Sequence, residues 1–235
     1  MTLIALLSAS GCVVQNTIIE DDVQTLRGAV DHVNIELHAG DLVVEIGDQG
    51  GAEISRRWEF TGEPPALYTE LHNGVLTIET DCRPGQFICQ IDHVIRLPAA
   101  AGITVETGSG DVWVMDMRDV EAKTGSGDVQ IDAASGDLVV GTGSGDVSII
   151  HSTSTVALIS TGSGDVDADL VIAPDLARVD TGSGDVLLEV PSGAYDIRTD
   201  TGSGDVTLVD VTDAAASDRR LDINTGSGDI RVQGR

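Results

Sequence analysis

The chain has 235 residues, and 41% of them are hydrophobic but only 3% are aromatic, so a core has to be filled by aliphatic side chains. Its 39 acidic residues against 13 basic ones give a formal net charge of -26 at pH 7. A surface of this charge repels polyanions, and no basic stripe offsets it, which argues against nucleic acid as a partner.

The first residues have the character of an export signal. A short apolar run, Leu3 to Ala9, leads through two small residues to Cys12. The run is too short for a permanent transmembrane helix, and small residues before one cysteine resemble the lipobox of bacterial lipoproteins. Residues 1–12 are therefore predicted to be a signal and lipobox segment, with lipidated Cys12 anchoring the protein in the bacterial cell envelope, on its periplasmic or outer face. A cleaved secretion signal and an N-terminal strand of a cytosolic protein are the alternatives, because no Lys or Arg precedes Cys12.

The next part of the chain shows strands of irregular spacing. Residues 13–30 lack a clear period and are predicted to be a tether. Apolar and polar residues then alternate on both sides of a corner at His38–Asp41, and further strand pairs are indicated as far as residue 97. Residues 31–97 are therefore predicted to be an irregular N-terminal β part of the same domain. The basic and aromatic cluster at residues 56–58 favours an exposed strand face over an anion or sugar contact.

Two cysteines bracket a short loop in this irregular part. Six residues separate Cys82 from Cys89, so a disulfide could close the loop at its base. If Cys12 carries lipid, the other two cysteines pair evenly, as expected in an oxidising compartment. Free thiols and a metal site that includes His93 are the alternatives.

The rest of the chain is organised by one motif, Thr-Gly-Ser-Gly-Asp followed by Val or Ile. Its seven copies lie 17 to 24 residues apart. A repeat of this length is typical of a solenoid, because each unit is too small to bury its own apolar face. The copies begin at Thr107, Thr124, Thr142, Thr161, Thr181, Thr201 and Thr225.

Apolar residues alternate with polar ones on both sides of every corner, as in half-buried strands. Residues 98–235 are therefore predicted to form an all-β, parallel β-helix-like solenoid with coils of about 20 residues; a stacked meander of hairpins is the alternative. Two glycines in each corner are expected to allow positive φ angles and a sharp turn. These structural glycines are Gly108, Gly110, Gly125, Gly127, Gly143, Gly145, Gly162, Gly164, Gly182, Gly184, Gly202, Gly204, Gly226 and Gly228.

The approach to the first corner resembles a known family. From Ile95 to Asp111 the chain has a strand ending in Pro98, a short link, and an alternating strand that leads into the motif; Pro174–Asp185 and Pro191–Asp205 repeat the pattern. This arrangement resembles the bacterial "putative adhesin" domains of unknown function, which are built from β-strand repeats. The resemblance covers residues 30–235 and implies a β-solenoid-like, envelope-associated protein. It supplies no catalytic residues.

Stacked coils would place the seven corner aspartates in one column, about 4.8 Å apart. Neighbouring carboxylates at that distance repel by about 1 kcal/mol even in water. Backbone N–H groups of each aspartate's own turn are expected to offset the charge. The alternative is Ca²⁺ bound between neighbours, by partial analogy with calcium-binding β-rolls; no other cofactor is expected. The aspartates concerned are Asp111, Asp128, Asp146, Asp165, Asp185, Asp205 and Asp229.

The repeats argue against an enzyme. Catalysis needs an acid and a base in unlike environments, whereas these aspartates are nearly equivalent, and the corner serines have no paired histidine in sequence. The sequence therefore predicts a non-enzymatic envelope protein, an adhesin or structural binding scaffold that presents a repetitive acidic β-surface to an envelope protein or a surface glycan. A calcium-stabilised structural or signalling module that binds another envelope protein is the alternative.

Overall fold

The computed structural model describes residues 16–48, 50–98 and 101–235. Over these ranges the chain is all-β, with 22 strands and no helix, and so no helix there could span a membrane. The predicted signal segment and the lipidation of Cys12 lie outside the described residues. The predicted tether at residues 13–30 is corrected in part, because Thr17–Arg27 form a long strand that pairs along its whole length with a second one.

The strands form two sheets of 11 each. The first sheet has the order β1-β4-β7-β3-β9-β11-β13-β15-β17-β22-β19, and the second has the order β20-β18-β21-β16-β14-β12-β10-β8-β2-β6-β5. The strands are β1 (Thr17–Arg27), β2 (His32–Leu37), β3 (Leu42–Ile46), β4 (Gly51–Thr61), β5 (Ala66–His72), β6 (Val75–Asp81), β7 (Cys89–Leu97), β8 (Gly102–Thr107), β9 (Val112–Met115), β10 (Val120–Thr124), β11 (Val129–Asp132), β12 (Leu138–Thr142), β13 (Val147–Ser152), β14 (Val156–Thr161), β15 (Val166–Leu170), β16 (Leu176–Thr181), β17 (Val186–Val190), β18 (Gly193–Thr201), β19 (Val206–Val209), β20 (Val211–Asp213), β21 (Arg220–Thr225) and β22 (Ile230–Gly234).

Each repeat is one coil with one strand in each sheet, joined by the Gly-Ser-Gly corner. The coils β8–β9, β10–β11, β12–β13, β14–β15 and β16–β17 stack in parallel, and the threonines that begin their motifs pair with one another across the second sheet. The predicted β-solenoid is confirmed. Within the repeats no hairpin meander forms, because every pairing between coils there is parallel.

At the C-terminal end the coils do not stack in the order of the sequence. Coil β21–β22 lies between β16–β17 and β18–β19, in register with both. After Val190 the chain therefore skips the position of one coil and forms β18–β19 beyond it. It then returns to fill the skipped position with β21–β22. Residues 214–219 make this return, and the longest spacing between motifs, which predicts a loop insertion, lies at the same place.

Inward-facing aliphatic side chains from the two sheets meet and fill the core. Val112, Val129, Val147, Val166, Val186 and Ile230 form one column in the first sheet, and each is at most 2% exposed. Burying a side chain of this size contributes about 1.5–3 kcal/mol. Since each coil repeats the same column, the stacking of coils is what removes these residues from water.

The irregular N-terminal part extends the same stack. Coil β2–β3 pairs in parallel with β8–β9, and its corner at His38–Asp41 is an eroded version of the motif. Coil β6–β7 lies beyond it. Strands β4 and β5 then pair antiparallel with that coil, and β1 pairs antiparallel with β4, so the core at this end is covered.

Candidate functional site

The corner aspartates join successive coils. The backbone N–H of Asp128 donates to Oδ1 of Asp111, and that of Asp146 donates to Oδ1 of Asp128, each at 2.8 Å. The same bond recurs along the stack through Asp165, Asp185, Asp229 and Asp205, at 2.7–2.8 Å. Each carboxylate from Asp111 to Asp229 therefore accepts a hydrogen bond from the next coil of the stack. The predicted bond to the aspartate's own turn is corrected, because stacking brings the neighbouring N–H group to the carboxylate.

The aspartate column begins before the first motif. The N–H of Asp111 donates to Asp41, and the N–H of Asp41 donates to Asp92, both at 3.0 Å. Asp92 belongs to β7, which has no Gly-Ser-Gly corner, so sequence comparison with the repeats gave no signal for its place in the column. At the other end, the carboxylate of Asp205 accepts no hydrogen bond from another described residue.

The two glycines of each corner are needed for different reasons. Only the second has a φ in the left-handed region, between 120° and 151° across the copies. The first does not, which corrects the expectation of positive φ at both positions. A Cβ on the first would lie 2.5 Å from the carbonyl oxygen of the coil before it, as at Gly143 against Gly125. A Cβ on the second would collide with the equivalent carbonyl, so close coil stacking excludes side chains at both positions.

Six of the seven threonines that begin the motifs are buried, all but Thr201, and from Thr124 onward each hydroxyl donates to the neighbouring corner. Thr142 Oγ1 donates to the carbonyl oxygen of Gly127 at 3.0 Å, and Thr161 Oγ1 does the same to Gly145 at 3.1 Å. A buried hydroxyl group needs such a partner. The threonines therefore join neighbouring corners through hydrogen bonds.

The aspartate column does not assemble a metal site in the described ranges. Within them no three His, Cys, Asp or Glu side chains converge on one point. Each carboxylate from Asp111 to Asp229 already accepts a backbone N–H, a contact that stabilises its negative charge. The geometry therefore provides an offset for the repulsion between neighbours that needs no cation.

Substitutions at Asp146 separate hydrogen bonding from charge. Asp146→Ala removes the acceptor for the N–H of Asp165 and is expected to lower the free energy of unfolding by about 1 kcal/mol. Asp146→Asn keeps an acceptor oxygen and removes one charge from a row of like charges, so stability should stay within about 0.5 kcal/mol or rise. Thermal unfolding in calcium and in chelator should give the same midpoint. A calcium-dependent rise that Asp146→Asn abolishes would contradict a cation-free column.

The N-terminal end of the core contains a buried arginine. Arg56 is 3% exposed, which corrects the expected exposed strand face. Its guanidinium donates to Asp22 Oδ2 and Gln24 Oε1, each at 2.8 Å, and to Thr69 Oγ1 at 2.9 Å. Trp58 Nε1 donates to the other oxygen of Asp22 at 2.7 Å. Strand β1 is therefore held to the core end by a charged, hydrogen-bonded network.

His93 lies opposite Arg56 in the adjacent strand and is 1% exposed. Its Nδ1 pairs with the carbonyl oxygen of Ile91 at 2.9 Å, while Nε2 has no hydrogen-bond partner among the described residues. Burial, reinforced by the nearby Arg56 charge, lowers the pKa of the imidazole to about 4, although the Ile91 carbonyl and the carboxylates of Asp22 and Asp92 act in the opposite direction. His93 is therefore neutral at pH 7.

The predicted disulfide is present and replaces a Gly-Ser-Gly corner. Cys82 and Cys89 are bonded at the turn between β6 and β7. Phe87 lies in the loop that the bond closes and is 82% exposed. Gln86 holds the loop from inside, because its Nε2 donates to the carbonyl oxygens of Thr61 and Glu63 at 3.1 and 2.8 Å. The loop is thus a fixed support for an aromatic side chain in solvent.

Two hollows flank the corners at this end. The larger, about 720 Å³, opens on the second sheet between β5, β6 and β2, and Tyr68, Glu79 and Asp81 line it together with His38. The smaller, about 350 Å³, lies beside Phe87 and Gln90. The corner of the first repeat contributes to the lining of both. Sequence reasoning missed this surface, although the cysteine pair marked its position.

No catalytic constellation appears in the described part of the chain. The histidines pair with Thr104, Asn73, a backbone carbonyl, Asp81 and Asp132, and no hydrogen bond among the described residues joins a serine to a histidine. The corner aspartates from Asp111 to Asp229 share one environment, in which each carboxylate accepts a backbone N–H. The repeated corners therefore have the geometry of a rigid support.

A known structure shares this architecture. A "putative adhesin" from Bacteroides fragilis NCTC 9343 superposes with a TM-score of 0.51 over 92% of this chain and 97% of that chain, at 13% identity. A "putative cell adhesion protein" from Clostridium sporogenes ATCC 15579 gives a TM-score of 0.42 over 93% and 100% of the two chains, at 12% identity. At such identities the Bacteroides structure is evidence of the fold alone. Among curated proteins, none matches this sequence.

The comparison with protein families covers nearly all of the solenoid. The family model described as Toastrack DUF4097 matches residues 27–234, from the end of β1 to the last residue of β22. The matched region contains every coil of the stack, its disulfide loop and the whole aspartate column. The chain therefore belongs to the Toastrack DUF4097 family, a bacterial family of unknown function.

Proposed function

We propose that this chain is a non-enzymatic binding protein of the bacterial cell envelope, with an adhesin-like role, and that its N-terminal end makes the contact. The partner is an envelope or surface protein. The regular coils serve as a rigid support, and the disulfide loop with its two hollows is the binding surface. Export and a lipid anchor on Cys12 are part of the proposal, and the Cys82–Cys89 disulfide supports an oxidising compartment.

The observation that carries the proposal is the position of Phe87. Its aromatic side chain is 82% exposed, so a large apolar surface that could contact a partner lies in water. The loop around it is closed covalently, and Phe87 N and Ile88 N both donate to Thr61 Oγ1, at 3.0 and 3.3 Å. A preformed loop loses little conformational entropy on binding, so an exposed aromatic anchor there is well suited to a hot spot.

The larger hollow, which shares the corner of the first repeat with the hollow beside Phe87, indicates the chemistry of the partner. Glu36, Glu79 and Asp81 line the larger hollow beside Tyr68, so it combines an aromatic ring with several carboxylates. Basic side chains complement such a surface, and the net charge of -26 would increase their rate of association. The expected partner segment therefore has an apolar residue for Phe87 and Lys or Arg for the hollow.

The proposal is tested by capture from native envelope extracts with the full chain as bait. Phe87→Ser should abolish capture of the partner, whereas Val23→Ser, at a position 66% exposed on β1, should leave it unchanged. Higher salt should weaken capture, because charge steers the encounter. Equal capture by both variants would contradict the proposed contact. Capture that survives protease treatment of the extract but not glycosidase treatment would identify a glycan instead, and capture that requires calcium would favour a calcium-dependent module.

A further inference from the structure

Strand β1 is attached to the stack along one side only. It is the outermost strand of its sheet, and its 11 residues pair with β4 along their whole length. Its side chains are exposed or half-buried, and those of Ile19 and Val23 are 53% and 66% exposed. Of its apolar side chains, Leu26 packs against the core. The strand is therefore held by backbone hydrogen bonds with little hydrophobic burial.

One charged contact holds the inner face of this strand. The guanidinium group of Arg56, whose side chain is 1% exposed, donates to Asp22 and Gln24 on β1. Trp58 donates to the second oxygen of the same Asp22 carboxylate. A buried charge is costly without a partner of opposite sign, and hydrogen bonds between charged groups are stronger than neutral ones. The docked position of β1 therefore depends on the Asp22 carboxylate.

The same contact makes docking reversible. The two guanidinium nitrogens of Arg56 that face β1 are covered by Asp22 and Gln24. When β1 separates from β4, these nitrogens gain water, and the Asp22 side chain, already 43% exposed, does so too. Separation therefore leaves neither charge buried without a partner, whereas an aliphatic seal would lose its burial with no compensation from water.

The docked strand begins beside the proposed binding surface. Thr17 lies opposite Thr61 in the pairing of β1 with β4. The hydroxyl group of Thr61 accepts hydrogen bonds from the backbone N–H groups of Phe87 and Ile88. The chain before β1 therefore reaches the stack next to the disulfide loop.

The position of β1 in the chain gives its release a consequence. The sequence predicts a tether at residues 13–30, and the matched family region begins at residue 27, so most of β1 lies outside that region. Five residue steps separate Cys12 from Thr17, and a chain of that length spans at most about 18 Å. With β1 released, sixteen steps separate Cys12 from Gly28, which span at most about 58 Å.

We propose that β1 is a releasable tether. Docked on β4, it holds the disulfide loop close to the anchor; released, it lets the loop reach partners farther from the membrane while the coils stay folded. An edge strand with few buried contacts opens at a lower free energy than the whole domain. The change in reach rests on the anchor at Cys12 that the proposed function includes, whereas the release of β1 does not.

Hydrogen exchange measured by mass spectrometry on the Cys12→Ser chain tests the release. The hydrogen-bonded amides of β1 are expected to exchange faster than those of β10–β17. Asp22→Asn should raise exchange in β1 at least about tenfold, because it removes the charge that neutralises Arg56, and should leave β10–β17 unchanged. Adding Arg56→Met to Asp22→Asn removes the buried charge and should restore protection of β1.

The matched control is the neighbouring aspartate. Asp21 lies 3.9 Å from Arg57 in an exposed ion pair, so Asp21→Asn should leave exchange in β1 as in the parent. An equal rise in both single variants, or no recovery with Arg56→Met, would refute the role of the Arg56 contact. If Asp22→Asn exposed β1 and β10–β17 together, the strand and the coils would unfold as one unit, and the proposal would be wrong.

The change in reach is tested with the lipidated chain on phosphatidylcholine vesicles. A dye on Lys123, the one lysine of the chain, should transfer less energy to a bilayer dye in Asp22→Asn than in Asp21→Asn. Equal transfer in both variants would contradict the longer reach. A chain that does not bind the vesicles would refute the anchor, with the exchange result unaffected. Capture of the partner through Phe87 is lost in a different variant, so failure of the proposed binding is recognised separately.

Discussion

Gly145→Ala is expected to lower the free energy of unfolding by at least about 3 kcal/mol. Its φ of 148° lies in the region that only glycine adopts readily. The added Cβ would also collide with the carbonyl oxygen of Gly127 in the coil before it. Backbone strain and the separation of two coils therefore both destabilise the fold. Separating the coils would lengthen the hydrogen bonds between their corners. Urea unfolding followed by circular dichroism measures the loss.

The matched control for this substitution is its neighbour. Ser144 lies between the two glycines of the same corner, and its side chain is exposed. Ser144→Ala should therefore change stability by no more than about 0.5 kcal/mol. If Gly145→Ala cost no more than Ser144→Ala, the coils could not be as closely stacked at the corners as the structure shows.

Acidification should destabilise the protein through His93. The folded-state pKa of His93 is about 4, below the ordinary value of 6.5, so between these values the unfolded chain binds a proton that the folded chain excludes. The resulting stability is fully present above pH 6.5 and is lost as the pH falls toward 4. A difference of this size corresponds to about 3 kcal/mol. Protonation would place a second positive charge beside buried Arg56.

The experiment compares the free energies of unfolding at pH 7 and pH 4 for two variants, in each of which one histidine is replaced. His93→Leu should lose this part of the pH dependence, whereas His151→Gln, at an exposed position, should keep it. Both variants keep every carboxylate, so the difference between their acid-induced losses isolates His93. An equal acid-induced loss in both variants would contradict a buried neutral imidazole.

Much of the fold could be predicted because it is repeated. The sequence repeats one corner and its two alternating strands seven times. Parallel stacking in register is the arrangement that pairs Val129 with Val147 and Thr124 with Thr142 in adjacent coils. The eroded corner at His38–Asp41 was recognisable for the same reason. The disulfide was indicated by the short spacing of Cys82 and Cys89.

The order of the last coils could not be predicted, again because of the repetition. The motifs at Thr201 and Thr225 are the same, so either coil fits against β16–β17 with the same columns and hydrogen bonds. What decides between them is the path of the connecting segments, which carries no periodic signal. The backbone N–H groups that donate to the aspartates were missed for a related reason. Aligning the repeats shows that the aspartates form a column, but it does not show which coil supplies the N–H group to each carboxylate.

The candidate binding surface was harder to predict than the support. Phe87 is a single aromatic residue in a loop, and nothing in the sequence around it indicates that it is exposed. Arg56 is the opposite case. Its position in a strand favoured an exposed side chain, whereas hydrogen bonds to Asp22, Gln24 and Thr69 keep the side chain buried. Both outcomes depend on strands that are distant in sequence, so local patterns could not reveal them.

Disulfide trapping at the exposed corner serines tests the stacking order most directly. Ser183 and Ser227 lie in adjacent, in-register coils about 4.8 Å apart, whereas Ser203 is two coils from Ser183, at about 9.6 Å. A disulfide spans Cα separations up to about 7 Å. In the Cys12→Ser chain, Ser183→Cys with Ser227→Cys should therefore crosslink on oxidation, and Ser183→Cys with Ser203→Cys should not. The reverse result would show that the coils follow the order of the sequence, and crosslinking of neither pair would contradict the stacked corners altogether.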